Sequence, residues 1–463
     1  MSAAASFVAS GRRIYALAWP VLVGQLAVMA YGLMDTVMTA RYSADDLAAL
    51  ALGNAIYISL FVAGMGVIMS LGPIVGQLYG ARRSLEIGSE IKQGIWLALM
   101  MSVLGGLLLA FPHPILRLTG ADPEIEHKAV LFLRALAFGL PAALGFQVFR
   151  ALSNAISRPK FVMAIQVAGL VLKIPLSAVL IHGFTLGPVS VPAQGGPGCG
   201  IATTVVLWCM FATTIVVQRR DPAFATLGIW AGGLGRPRWA AQRQLLRLGL
   251  PMGGSYLIEV TGFVFMALFI IRFGSATLAG HQIVTNIVSI LFMLPLSIAI
   301  ATSTLVAQSL GAREPERARR LGWHGLLLAT LVSFVTSSTV WLARDHVVAG
   351  YTDNPAIAAA ALPLLGWVVG FHVFDAFQTV SAFVVRAYKV AVAPMVIYVI
   401  AMWCMGLGGG WLVGFDVTGR SPDALRGASG FWFAATFGLA LAGILMGLLM
   451  RRTTRRVPLV RAG

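Results

Sequence analysis

The sequence predicts an all-α integral membrane protein with twelve transmembrane helices, arranged as two parallel six-helix pseudo-repeats that form two lobes around a central cavity. Three observations lead there. The 463 residues are 58% apolar and only 11% charged, with a mean hydropathy of +0.84, whereas a soluble domain carries roughly 25% charged residues. Apolar runs long enough to cross a bilayer recur from end to end. And the chain repeats itself at a spacing of 231 positions.

The apolar runs come in order at 14–40, 47–79, 91–111, 129–153, 161–182 and 200–218. They continue at 245–271, 279–309, 322–342, 360–386, 393–413 and 430–450. They are solidly apolar rather than alternating, which favours helices over a barrel. The first run is too long for a cleaved signal peptide and is expected to stay as a helix. The repeat relates Leu17 and Pro20 to Leu248 and Pro251, and Arg41 to Arg272. Gln77, Gly80, Ala81 and Arg82 recur as Gln308, Gly311, Ala312 and Arg313, and Phe146–Gln147 as Phe377–Gln378. Six spans per copy is an even number, so both copies enter the membrane in the same orientation.

The net charge of +17 is a topology signal. With the N-terminus placed in the cytoplasm, 24 of the 34 Lys and Arg fall in inner segments. These are Arg12 and Arg13; Arg82, Arg83 and Lys92; Arg158 and Lys160; six from Arg219 to Arg247; four from Arg313 to Arg320; Arg386 and Lys389; and five from Arg451 to Arg461. Outer segments hold 8, and Arg150 and Lys173 lie inside spans. This is the positive-inside pattern, with both termini cytoplasmic and a bacterial-type inner (plasma) membrane location. No basic stretch is interleaved with a reading motif, so nucleic acid is not an expected partner. Cys199, Cys209 and Cys404 are too few for a disulfide framework. Asp221–Pro222, Gly232–Gly233 and Arg236–Pro237–Arg238 are breaker chemistry. They divide the chain into an N-terminal lobe at 1–220, a cytoplasmic connector at 221–244 and a C-terminal lobe at 245–463.

Three of the 17 acids lie within spans: Asp35, Glu259 and Asp375. A carboxylate in hydrocarbon costs several kcal/mol, so each is a functional candidate. Glu259 and Asp375 lie near mid-span in the same half and could meet at one level. Mutual repulsion and desolvation disfavour the doubly charged pair, which suits it to take up H⁺ or Na⁺, or a cationic compound competing with either. Lys173 lies mid-span near Pro175 and Ser177. It is expected within water-mediated reach of Asp35, the only intramembrane acid of its half, or else alone in a water-filled cavity. Most of the Gln and Asn in spans are expected to bridge helices. Gln282, Asn286 and Gln378 could join the Glu259–Asp375 cluster, and Tyr256 and Phe371 could face a cavity and stack on a cation. There is no phosphate-cradling Gly loop, His residues lack metal-ligand spacing, and no Ser–His–acid arrangement is suggested. No enzyme is expected, no cofactor, and no metal beyond Na⁺ at Glu259 and Asp375; an ion gradient supplies the energy.

The chain resembles the multidrug and toxic compound extrusion (MATE) family, NorM-like branch, over its whole length. The resemblance rests on the two Gln–Gly–Ala–Arg inner loops and on the acids in context: Met34–Asp35–Thr36, Ser255 to Glu259, and Phe374–Asp375 to Gln378. It implies export of organic cations and amphipathic compounds in exchange for H⁺ or Na⁺ by alternating access. It implies that Glu259 and Asp375 bind the coupling cation, and that Asp35 serves proton or substrate linkage in the N-terminal lobe. Two departures stand out. Lys173 and Ser177 sit where many relatives carry Asn around the fifth-helix proline, and Phe371 sits where some carry Tyr. The expected partners are small cationic or amphipathic molecules and the lipid bilayer, with the chain acting as a monomer. A lipid-linked saccharide flippase would be expected to carry more cationic cavity residues. A major-facilitator transporter would need its own loop motif after the second span. A non-transporting scaffold would have no use for deep acids.

Overall fold

Helix starts and stops follow from local chemistry. In the computed structural model, which describes residues 3–117, 120, 122–186 and 189–456, twelve helices among the described residues are long and apolar enough to span a membrane. The first six spans are α1 (Ala3–Ala40), α2 and α3 (Ala44–Ile68, Leu71–Gly80), α4 (Ser84–Ala110), α6 (Pro123–Ala155), α7 (Pro159–His182) and α8 (Gly195–Arg220), with a short α5 (His113–Leu116) before α6. After the short α9 (Pro222–Ala225), the second six begin with α10 (Trp239–Ile270), α11 (Ser275–Gly311) and α12 (Pro315–Leu342). They end, after a short α13 (Arg344–Ala349), with α14 (Pro355–Ala387), the α15–α16 span (Val392–Gly414) and α17 (Ala428–Arg456). Arg461, counted with the cytoplasmic cluster, lies outside the described residues.

Prolines open α6, α7, α12 and α14, where a missing N–H costs nothing. Asp122 and Asn354 accept from backbone N–H groups two residues on, at 2.9 Å each. α6 and α14 are matched members of the two repeats, each 33 residues long and opened by Pro after a capping Asp or Asn.

The repeated Gln–Gly–Ala–Arg motif is a helix stop. Arg82 and Arg313 occupy the left-handed region at φ 59° and 60°. Behind each, the next N–H reaches back to close the last turn: Arg83 to Leu78 O at 3.0 Å, and Glu314 to Ser309 O at 2.9 Å. The same stop ends α6 at Ser157 (φ 61°) and α14 at Lys389 (φ 63°). Four helix ends in segments read as inner loops thus use one device, and the end of α16 repeats it on the outer side at Asp416 (φ 50°), where Val417 N donates to Leu412 O at 3.1 Å.

Contacts divide the chain into two units, one of residues 23–253 and the other of residues up to Leu22 joined with Gly254 onward. Both boundaries fall inside helices, α1 and α10. In the first unit α6 packs against α2, α4 and α8, burying Leu50, Leu71, Leu133 and Phe149. In the second, α14 packs against α11, α12 and α17 around Leu365, Val384, Phe431 and Trp432. The stretch 221–244, expected as a connector, is docked within the first unit on α4. Trp96 Nε1 donates to Gly235 O at 3.0 Å, Arg238 N donates to Gln93 Oε1 at 2.8 Å, and Gln242 Nε2 donates to Gln93 O at 2.9 Å. The breaker residues bend the chain so that its backbone meets α4 side chains, with Gly235 O and Arg236 O accepting and the Arg238 N–H donating.

Three features depart from a uniform all-helical reading. A two-stranded antiparallel hairpin, β1 (Phe184–Leu186) with β2 (Val189–Val191), pairs Phe184 with Val191 after α7. The second span breaks at Met69–Ser70, where Ser70 Oγ donates to Val67 O at 2.7 Å and takes up a turn carbonyl. The eleventh span changes to a π-helix over Val399–Gly408, between α15 (Val392–Tyr398) and α16 (Gly409–Gly414). There α17 comes so close that a Cβ on Gly438 would run into the Ala401 carbonyl oxygen.

The left-handed stops predict a residue-specific stability pattern. Arg82→Val and Arg313→Val should each lose about 1–2 kcal/mol, because a β-branched side chain resists positive φ. The Gly replacements should lose nothing or gain slightly. Thermal unfolding of the purified protein in detergent reads the difference.

Candidate ion-coupling sites

In the unit of residues 23–253 the two opposite charges within spans meet. Lys173 Nζ lies 3.0 Å from Asp35 Oδ1, and both residues are buried, at 1% and 7% exposure. One turn earlier on α7, Gly169 leaves room for the Tyr31 hydroxyl, which a Cβ there would meet. Lys173 Nζ also donates to Thr203 Oγ1 at 2.6 Å, and Thr203 in turn donates to Cys199 O at 2.9 Å. The Cys199 side chain lies beside Asp35. One turn before Asp35, Tyr31 OH donates to Gln166 O at 2.6 Å, tying α1 to α7. A lone lysine in a cavity is therefore not what forms; the pair is direct and closed. Thr203 and Cys199 were not legible as members, since a hydroxyl or thiol in an apolar helix carries no signal of its own.

In the other unit Glu259 on α10 lies within electrostatic reach of the Asp375 carboxylate on α14. Asp375 is 5% exposed, and Gln378 Nε2 donates to its Oδ1 at 2.9 Å and to Thr379 Oγ1 at 3.1 Å. Arg386 is the residue that sequence reasoning misplaced. It was counted with the inner-loop cations, but it sits in the last turn of α14 and is only 4% exposed. Its guanidinium lies 5.4 Å from the Tyr256 ring centroid and 5.2 Å from that of Phe383, and it acts on Glu259 electrostatically. Tyr398, buried at the start of the π-helical stretch, is in electrostatic reach of Glu259, Asp375, Arg386 and Tyr256. Position near a helix end hid Arg386; its contacts with the Tyr256 and Phe383 rings and its action on Glu259 bring it into the cluster.

The remaining candidates divide. Gln378 and Tyr256 belong to this cluster. Phe371 is 2% exposed and packs on Trp432 (centroids 5.3 Å) and edge-on to Phe263 (6.1 Å), so it is a core residue. Trp432 Nε1 donates to His281 Nδ1 at 3.2 Å in the same core. Asn286 accepts from Tyr351 OH at 2.8 Å, away from the acids. Gln282 lines a separate cleft of about 360 Å³ with Phe263, Val264, His281 and Thr285. The expectation that Gln282 and Asn286 join the acid cluster is not met: they sit on the exposed side of α11, while its buried face packs on α14.

The MatE family model matches residues 20–179 and 251–412, two segments that begin at the same 231-residue spacing as the internal repeat. The chain belongs to the MatE family. A probable multidrug resistance protein NorM of Aromatoleum aromaticum is 39% identical over 451 residues, covering 97% of this chain and 96% of its own. A multidrug resistance protein MdtK of Yersinia pseudotuberculosis is 35% identical, covering 96% of each. Among solved structures, the eukaryotic MATE transporter AtDTX14 superposes with a TM-score of 0.84 at 19% identity, covering 98% of this chain and all of its own. A MATE transporter in complex with MaD3S gives 0.86 at 19%, covering 96% of each. At that identity the likeness is one of fold, that of an all-helical membrane protein. As a MatE member the chain is a multi-pass membrane transporter and not an enzyme.

The closed Asp35–Lys173 pair makes a thermodynamic prediction. Lys173→Met strands a buried carboxylate and should destabilise the protein by about 3–5 kcal/mol. The Asp35→Asn/Lys173→Met double variant should lose markedly less, because neither charge is left alone. Thermal unfolding of the three proteins in the same detergent measures the coupling.

Proposed function

We propose that this MatE transporter exports organic cations and amphipathic compounds across a bacterial-type inner membrane in exchange for H⁺ or Na⁺. Both termini face the cytoplasm, and the protein works as a monomer by alternating access. The observation that carries the reading is the Glu259–Asp375 pair, two carboxylates held within spans and within electrostatic reach of one another. The relatives named as multidrug resistance proteins supply the class of cargo.

Arg386 gives the exchange its arithmetic. With both acids ionised, the cluster of Glu259, Asp375 and Arg386 carries one net negative charge. One monovalent cation brings it to neutrality, and in a low-dielectric span neutrality is strongly favoured. H⁺ or Na⁺ entering from outside fills that place and discharges a bound organic cation. Release of the ion inside restores the negative charge and the affinity for the next cargo molecule. Coupling is mutual exclusion, since one negative charge does not hold two cations tightly. Gln378 and Thr379 hold the Asp375 carboxylate in orientation, and Tyr256 offers a ring face to a cationic headgroup. Asp35 is a second linkage point, already neutralised by Lys173 and therefore coupled through the breaking of that pair.

Glu259→Gln and Asp375→Asn should each abolish ion-driven efflux of an organic cation from proteoliposomes while insertion stays normal. Imposing Na⁺ and pH gradients one at a time separates the two coupling ions, and full activity in Asp375→Asn would sink the reading. Arg386→Met should bind the coupling cation more tightly and release it more slowly. Half-maximal efflux then moves to a lower concentration of the driving ion while the maximal rate falls, which a titration of the gradient records.

A further inference from the structure

The long first helix carries a second feature unrelated to the acids. α1 spans 36 residues from Ala5 as one apolar helix, about 54 Å at 1.5 Å per residue, against a hydrocarbon core of about 30 Å. Its first turns must therefore stand in the headgroup layer. There α1 packs on the start of α12: His324 Nδ1 lies 2.9 Å from Ser10 Oγ, and Phe7 meets the His324 ring edge-on at 5.4 Å. Above this contact is a cleft of about 310 Å³ lined by Ser6, Ala9, Ser10, Arg13, Arg317, Arg320 and Leu321.

The charges around the cleft are unbalanced. No acid lines it. Glu314 is engaged with Arg317 at 2.6 Å, and Glu316 with Arg319 at 3.4 Å. Among the described residues Arg13 and Arg320 form no salt bridge. Arg13, Arg320 and Ser6 then line one small volume, with the Ser10 hydroxyl already engaged by His324, and two guanidiniums beside a hydroxyl suit the oxygens of a single phosphate. Ala9 and Leu321 give the cleft an apolar wall.

We propose that this cleft is a binding site for the phosphate headgroup of an anionic membrane lipid, seated between the start of α1 and the start of α12. The helix length places the site at headgroup depth, and the mixed lining matches a phosphodiester bearing acyl chains rather than a soluble anion. Bound there, the lipid bridges Arg13 on α1 to Arg320 on α12 and anchors the first turns of α1 to their unit.

The test uses the full-length protein purified in uncharged detergent, read by native mass spectrometry and by thermal unfolding, so that neither transport nor a gradient enters. Phosphatidylglycerol should be retained and should raise the unfolding temperature, and phosphatidylcholine should do neither. Removing one arginine should weaken retention roughly fivefold, and Arg13→Gln/Arg320→Gln roughly 25-fold. Arg13→Lys/Arg320→Lys, which keeps the charge, should retain most of it. Undiminished phosphatidylglycerol binding in the double Gln variant, or equal retention of phosphatidylcholine, overturns the site. Displacement of the lipid by millimolar inorganic phosphate overturns the lipid assignment in favour of a soluble anion.

Discussion

A charge inside a membrane span must be answered where it lies, because there is no water to do so. That constraint organises this protein more than any single packing contact. The apolar surface that would drive a soluble fold has no such role between helices in lipid, so shape and small residues set the packing. The few charges within the spans are then the places where the structure is held to one arrangement. Lys173 and Asp35 answer each other at 3.0 Å, and Thr203 takes a further lysine proton at 2.6 Å. Glu259, Asp375 and Arg386 answer one another less completely.

The scaffold around these charges is duplicated with unusual literalness. α6 and α14 share length, opening proline and capping chemistry, and four helix ends share a left-handed stop. Such a stop is favourable for Gly, yet three of the four inner positions carry Arg or Lys and the other Ser, while the matching outer stop carries Asp416. Long cations there can reach the carbonyls of the helix end and lie where headgroups are anionic. The same residues thus end the helix and mark the inner face, which is why one motif was visible both as a repeat and as a charge bias.

Much of the fold was legible because its determinants are local: apolar length, proline and Asn or Asp at helix starts, and charge in loops. The short hairpin and the π-helical stretch were not, since each depends on what packs against it, as Gly438 does on Ala401. At the sites, the acids and Lys173 could be read because an ionisable residue in an apolar run is conspicuous. Arg386 could not, because its Cα lies at a helix end and only the direction of its side chain takes it inward. Gln282 and Asn286 misled for the opposite reason: they share a half with the acids but stand on the wrong face of α11. Phe371 lies one turn from Asp375, yet its ring turns to Trp432.

The two halves differ in a way that charge counting makes definite. In one, a carboxylate and an ammonium sum to zero, and nothing more is required for that site to be stable. In the other, two carboxylates and one guanidinium sum to minus one, and on the mechanism proposed here a cation completes the site. At the repeat spacing Asp35 corresponds to Met266, Glu259 to Val28 and Asp375 to Leu144, so none of these charges was inherited by both copies. A duplicated frame with its charges placed on one copy at a time can keep equivalent mechanics in each half and still have a single place that calls for an ion. Had the acid pair been duplicated with the helices, the frame would carry two such places, and binding at one would not decide the state of the whole. On the proposed mechanism, asymmetry of charge on a duplicated sequence is what would let one ion do so.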